Sequence, residues 1–215
     1  MSFLSSLLPR VVLNTSSQYN SNIRLIREWG GLKLLVNGSP QSGSYIRMLW
    51  SRALRKFHVH ASQNVRTVLV LGVGGGTVIE ILAKRFPHAS VTAVDIDPTI
   101  INIAKKYFEI DKHPNVRLIH ADANAFVTES AKKGKVFDIV VVDIFIGPKI
   151  PEFVSDATFL GLLHTIVKPG GNLLINYLRE LEYQEKSDEL AVCLSTLWRH
   201  VEDMKLYNNR FFLAR

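Results

Sequence analysis

The sequence predicts an α/β fold: a doubly wound, mostly parallel seven-stranded sheet preceded by a small N-terminal β-hairpin or meander. Three observations carry that prediction. From Val65 onward, short apolar runs alternate with stretches of helical period, a rhythm that implies right-handed strand–helix crossovers. The run 67–71 (TVLVL) is apolar throughout, as a parallel strand covered on both faces must be. A glycine-rich turn, residues 72–77 (GVGGGT), separates that run from the next helical stretch.

Composition bounds the rest. A chain of 215 residues with 47% hydrophobic residues can bury a full core and needs no covalent staples. One cysteine excludes a disulfide framework, and no Cys/His spacing fits a zinc site, so no metal is expected. The start, MSFLSSLLPRVVL, is broken by Ser, Pro and Arg and is too short an apolar stretch to span a bilayer. The chain therefore reads as cytoplasmic, with no membrane partner. Its charge is placed unevenly. Residues 1–64 hold eight Lys/Arg and one acid, which is the whole formal excess of +7, while 18 basic and 18 acidic residues cancel over 65–215. We read the basic third as a solvated face rather than a nucleic-acid surface. Composition also changes near residue 64, dividing the chain into a small N-terminal β-region with a linking helix (1–64) and a Rossmann-like α/β domain (65–215).

The elements follow in order. Runs at 10–13, 23–29 and 32–36 alternate with Asn, Ser and Gly, and Gly30-Gly31 separates the last two; this is the hairpin or meander. Residues 44–57 place Ile46, Leu49, Trp50, Ala53 and Phe57 at helical spacing, with Ser44 as N-cap. After the strand at 67–71 comes a helix at 77–86, a strand at 91–94, and a helix opened by Pro98 and ending near Phe108. A strand at 116–119, a helix at 123–132 and a strand at 137–142 (FDIVVV) continue the pattern. The next helix carries Phe159, Leu162, Leu163 and Ile166 and is halted by Lys168-Pro169-Gly170-Gly171, before a strand at 172–177. The last helix has Leu190, Cys193, Leu194, Leu197 and Val201 on one face, which makes Cys193 a packing residue. Runs at 204–207 and 211–213 close the chain as an antiparallel pair.

In such sheets ligands bind beyond the carboxyl ends of the strands, near the switch in strand order. The turn at 72–77 lets a ligand approach the backbone and opens a helix whose N-terminus offers N–H groups. It does not complete the dinucleotide fingerprint, because its last position is Thr77, and it lacks the Gly-Lys-Ser/Thr of a phosphate loop. Asp95 ends the second strand 23 positions beyond Gly72, close to the spacing at which an acid bonds ribose hydroxyls. Asp97, directly before Pro98, is a helix N-cap. Asp122, after the third strand, either accepts from an adenine amine or caps the helix it precedes. Asp143, after the fourth, can act as a base or orienting group in a partly desolvated position. His120 and Tyr177 are candidate pocket walls, and residues 144–151 (IFIGPKIP) read as an apolar, Gly/Pro-punctuated lid. His58 and His60 lack a third ligand nearby.

Taken together, VLVLGVGGGTVIEIL, AVDIDPTIINIAKKYF, NVRLIHADANAFV, FDIVVVD and VKPGGNLLI resemble the class I S-adenosylmethionine-dependent methyltransferase fold, and within it the spermidine synthase-like family. The segment SQYNSNIRLIREWGGLKLLVNGSPQSG is similar to that family's small β-domain. The resemblance implies a cofactor, S-adenosylmethionine or its decarboxylated form. Gly72, Gly74 and Gly76 would approach its amino-acid or aminopropyl end, Asp95 its ribose, Asp122 with Ala123 its adenine, and Gln41 would contact it as well. Asp143 stands where the family keeps its catalytic acid, and Tyr45, Trp50 and Ile146 would shape the acceptor pocket. The resemblance also implies a homodimer formed through the N-terminal region.

The departures decide the expected activity. Spermidine synthases typically carry an acid at the position of Gly75 and another at that of Ile146; neither is present. Arg47 and Arg52 stand near the expected pocket, which suits a dicationic diamine poorly. The expected function is thus methyl transfer to a small-molecule acceptor. Aminopropyl transfer is the alternative, with acids supplied by Glu152 or Asp156, and a non-catalytic binding protein is a third reading.

Overall fold

The computed structural model describes residues 9–28, 31–62 and 64–215; the expectations placed on 1–8, Trp29 and Gly30 lie outside these. Strands β1 (Arg10–Thr15), β2 (Ile23–Glu28), β3 (Gly31–Val36) and β4 (Ser39–Pro40) form an antiparallel sheet in sequence order, a meander rather than a single hairpin. Its register pairs Ile23 with Val36 and Leu25 with Leu34, which puts these four buried side chains on one face. Helix α1 (Ser44–Lys56) then packs Leu49, Trp50, Ala53 and Leu54 inward. Ser44 is not its cap. Gly43, at φ 101, makes the entry with no side-chain cap bond, because the chain turns there through a conformation that side chains resist.

The larger sheet alternates β5 (Thr67–Leu71), α2 (Thr77–Arg85), β6 (Ser90–Asp95), α3 (Pro98–Phe108), β7 (Val116–His120), α4 (Ala123–Lys132), β8 (Phe137–Val142), α5 (Ala157–Ile166) and β9 (Val167–Leu178). Helix α6 (Tyr183–Leu197) leads to β10 (Val201–Leu206) and β11 (Asn209–Ala214). The strand order is β10-β11-β9-β8-β5-β6-β7, with β5 to β9 parallel and β11 antiparallel to both its neighbours. This is the expected doubly wound, mostly parallel seven-stranded sheet. Val68 and Val70 of β5 join one core layer, and Leu69 and Leu71 join the other, which is why the run is apolar at every position. The meander and α1 share the first of these layers.

Two boundaries differ from expectation. Strand β9 begins at Val167 and carries Lys168-Pro169-Gly170-Gly171 as a bulge, since pairing jumps from Phe137–Val167 to Ile139–Asn172. A proline and two glycines are tolerated there because the bulged residues leave the ladder. Val201 opens β10 rather than extending the face of α6. Among the described residues no helix is long and apolar enough to cross a membrane.

Candidate active site

Strand β5 is the switch point: β6 lies on one side of it and β8 on the other. The residues that follow these three strands therefore converge on one crevice. Gly72 must be glycine, because a Cβ there would lie 2.1 Å from the Asp143 carbonyl oxygen and its φ is +96°. The close approach of the β5 and β8 ends thus sets the width of the crevice. The first cavity there has a volume of about 230 Å³ and is bordered by Gly72, Gly74, Asp95, Asp122, Ala123 and Asp143, with Gln41 at its edge. Its apolar wall comes from Val94, Ile96, Ile144 and Phe153, and Ile146, 38% exposed, lies at its rim.

Each acid is fixed differently. Asp95 accepts the Val73 N–H at 2.8 Å on Oδ2 and the Asp97 N–H at 2.9 Å on Oδ1. Burial pushes its carboxyl upward, against these two bonds. Asp97 caps α3 as expected, accepting from the Thr99 N–H at 2.9 Å. It is also buried and takes bonds from Ser17 Oγ at 2.5 Å and Asn20 Nδ2 at 3.0 Å, which tie the loop before β2 onto the cavity. Asp122 borders the cavity and also caps α4, accepting from the Ala125 N–H at 2.8 Å. Asp143 has the most unusual setting. Asn176 Nδ2 donates to its Oδ1 at 2.8 Å and Trp50 Nε1 to its Oδ2 at 3.0 Å. Burial outweighs both bonds and raises its pKa to about 6.

A second cavity of about 760 Å³ meets the first at Gln41, Asp143 and Phe145. Tyr45, Asn176 and Asn209 line it, and Glu180 and Glu182 stand at its margin. The segment 144–151 lies between the two, pinned by Gln41 Nε2 donating to the Gly147 carbonyl at 3.1 Å and by the Ile150 N–H donating to Tyr183 Oη at 3.1 Å.

Several expected site residues fall elsewhere. Gly76 borders neither cavity; it is a left-handed N-cap whose absent Cβ makes room for Ile110. Trp50 is fully buried and supports Asp143 from beneath, edge-on against Phe211 at 5.1 Å. Tyr177 points to the opposite layer, against Tyr183, because side chains alternate along a strand and Asn176 takes the cavity side. His120 bonds the Ile96 carbonyl at 3.0 Å and lines neither cavity. Arg47 pairs with Glu80 of α2, Arg52 is exposed, and neither reaches a cavity. Glu152 and Asp156 are also absent from the walls. Four N–H groups of the glycine-rich turn are taken: Gly72 by the Val94 carbonyl, Val73 by Asp95, Gly75 by the Gln41 carbonyl, and Gly76 by the Val73 carbonyl; the helix N-terminus that the sequence points to begins after them, at Thr77. Sequence reasoning missed Asn176 and Asn209. The only signal for Asn176 was an amide interrupting the apolar run LLINYL.

Residues 68–171 match a family model described as a methyltransferase domain. A spermidine synthase structure from Thermotoga maritima superposes with a TM-score of 0.74 and 16% identity, over 95% of this chain and 72% of that one. The chain has the spermidine synthase-like class I methyltransferase fold. Among curated proteins, a polyamine aminopropyltransferase of Vibrio vulnificus is 32% identical over 51% of this chain and 36% of its own length. An "eEF1A lysine and N-terminal methyltransferase homolog" of Drosophila pseudoobscura is 34% identical over 37% of this chain and 12% of its own length. The chain thus spans about a third or less of these two relatives. The departure at Gly75 has a structural counterpart. A Cβ at Gly75 would lie 2.4 Å from the Ser42 Cβ, so the space that family fills with an acid is closed here by a buried serine.

Proposed function

We propose that this chain is a transferase that moves an alkyl group from a sulfonium donor to an amine nitrogen, with methyl transfer as the main reading. The carrying observation is that Asp143 stands where the two cavities meet. The first cavity fits a nucleoside: its acids can accept from hydroxyls and an exocyclic amine, and its apolar wall suits a purine. Asp95, doubly anchored through the backbone, would accept the ribose hydroxyls. Asp122 keeps one oxygen for the adenine amine beyond the one that caps α4. S-adenosylmethionine or its decarboxylated form, when bound, supplies an electrophilic carbon on sulfur.

The chain's own work is then alignment and proton handling. Asp143 would accept a proton from an amine in the second cavity, and a carboxyl titrating near 6 is well matched to that task at neutral pH. Segment 144–151 would keep water from the junction. Glu180 and Glu182 supply negative potential at the margin, and the relatives' names point to amines too: a polyamine in one, lysine and an N-terminus in the other. Methyl transfer is favoured because the acids that would pair with a cationic diamine are missing at 75 and 146.

Aminopropyl transfer is the second reading, and specific observations favour it. No Lys, Arg or His of the described residues lines the first cavity, and the N–H groups of the glycine-rich turn named above are occupied. Among those residues, no side-chain cation would pair with a donor carboxylate there. Calorimetric titration with S-adenosylmethionine and its decarboxylated form, side by side, tests the choice. Tighter binding of the carboxylated donor supports methyl transfer, the reverse supports aminopropyl transfer, and binding of neither sinks both. The homodimer is a further proposal, in which the edge strand β1 exposes Val11 and Val12; sedimentation of a Val11→Lys variant checks it.

A further inference from the structure

We propose that Asn176 and Asn209 are positioning residues, a two-amide relay that locks Asp143 as a hydrogen-bond acceptor and carries that polarity to the wall of the second cavity. The argument starts from donor and acceptor inventories. An ionised carboxylate can only accept, whereas a side-chain amide has one end that donates and one that accepts. Asn176 Nδ2 lies 2.8 Å from Asp143 Oδ1, so its NH₂ must face Asp143 and its Oδ1 must face away. Asn209 Nδ2 donates to that Oδ1 at 2.9 Å. Both amides are therefore oriented by the one carboxylate, and the chain of bonds ends on Asn209, which itself lines the second cavity.

Both asparagines are almost fully buried, at 5% and 8% exposure, and buried amides with defined partners hold their geometry because turning one costs a bond at each end. The register supplies the rest. Asn209 pairs with Leu178 and Phe211 with Asn176 across β11 and β9, so the same C-terminal strand braces Trp50 from below and Asn176 from the side. Both donors to Asp143 are thus held from β11. The inference rests on the reading of Asp143 as the reaction-facing acid, but its first test needs no substrate.

That test is a titration of Asp143 in protein labelled at aspartate ¹³Cγ, with the signal assigned by Asp143→Asn. In Asn209→Asp the new carboxylate cannot donate to Asn176, so Asn176 turns its NH₂ away and presents oxygen to Asp143. The Asp143 midpoint is expected to rise by about one pH unit or more, a tenfold change in proton affinity. Asn208→Asp places a like charge on the same cavity wall, outside the relay but exposed; because an exposed charge is screened more than a buried one, the uncharged Asn209→Leu is titrated beside it and must also raise the midpoint. The other titratable groups around Asp143 are Tyr19, Asp95, Asp97 and Asp122 in the first cavity and Tyr45, Lys149, Glu180, Glu182 and Tyr183 in the second. They are common to both variants and cancel in the comparison. Equal shifts in the two variants, or no shift in either, overturn the relay.

Should Asn209→Asp fail to fold by circular dichroism, Asn209→Leu removes the donor without charge. A smaller rise, about two- to threefold in proton affinity, is expected because Asn176 can then present either end; an unchanged midpoint overturns the proposal. Absence of transfer from either sulfonium donor to any amine would sink the functional reading and leave this titration standing.

Discussion

Strand β8 carries an aspartate near each end, and the two live in opposite circumstances. Asp138, at the strand's start, accepts from the Arg66 N–H at 2.9 Å, the Thr67 N–H at 2.8 Å, Thr67 Oγ1 at 2.9 Å and Lys168 Nζ at 2.8 Å. Burial works to raise its pKa, but these bonds prevail and hold it down to about 2. Asp143, just past the strand's end, has two neutral donors and, among the described residues, no cation bonded to it, and stands at about 6. Lack of solvent opposes the charge at both ends, and the number and charge of the donors decide the sign. An acid that the fold has fully satisfied is a structural tie; one that is left short of donors beside two cavities has capacity to spare for chemistry.

The largest expected effect separates the two ends by substitution. Asp143→Asn should lower turnover about 10²- to 10⁴-fold, the range for losing a positioned base, with donor affinity nearly unchanged. Release of S-adenosylhomocysteine or methylthioadenosine, against calorimetric binding of the donor, measures the split. Equal losses in both would move Asp143 into the donor site. The same variant tests the pH dependence of stability. The folded pKa of Asp143 lies above the ordinary carboxylate value of 3.8, so the folded state binds the extra proton between about pH 4 and 6. Stability from this group is therefore greatest below pH 4 and falls as pH rises through 6, by on the order of 3 kcal/mol. Denaturant melts from pH 4 to 8 should show that slope in the wild type and lose it in Asp143→Asn.

Asp138→Asn should do the reverse: turnover unchanged, stability down by about 1–3 kcal/mol at pH 7, because one of the two amide ends meets donors it cannot accept from. Here the sign of the pH effect is opposite. A depressed carboxyl stabilises above its unfolded pKa, and that stability is lost as pH falls from about 4 toward 2. Turnover loss without destabilisation would contradict the contrast between the two ends.

The strand-end acids were legible in the sequence because topology alone brings them together. A doubly wound sheet aims the ends of β5, β6, β7 and β8 at one crevice, so Gly72, Asp95, Asp122 and Asp143 need only strand boundaries to be placed. What was not legible depends on facing and on distant packing. Tyr177 and Asn176 are neighbours, and choosing between them requires the phase of β9, hidden by the bulge at its start. Trp50 was read as a pocket wall because its helix face was known but not its depth. Arg47 was read as a threat to cationic acceptors; its pairing with Glu80 depends on how α1 lies against α2. Asn209 had no local signal, since only the insertion of β11 between β9 and β10 brings it to Asn176.

Asp95 lies between the extremes of β8, raised by burial yet bonded by two backbone N–H groups. Asp95→Asn should weaken donor binding about tenfold, the cost of about one good hydrogen bond, and leave the rate at saturating donor nearly intact. Calorimetry beside saturation kinetics checks this, and a loss confined to the rate would place Asp95 outside the ribose position.

The smallest effect is expected at the rim of the upper end, where the electrostatics moved furthest from expectation. Glu180 and Glu182 are exposed, so each contributes only the modest energy of a solvated charge, about 0.2–1 kcal/mol. The double change Glu180→Gln, Glu182→Gln should therefore raise the KM of a cationic amine about two- to tenfold and leave kcat alone. The difference should shrink as ionic strength rises and the Debye length falls below about 10 Å. Arg47→Gln, acting on a charge already paired with Glu80 and not lining either cavity, should change neither constant. If Arg47→Gln lowers the amine KM while the glutamate variant does nothing, the acceptor approaches over α1 instead, and the acidic margin of the second cavity has no part in choosing it.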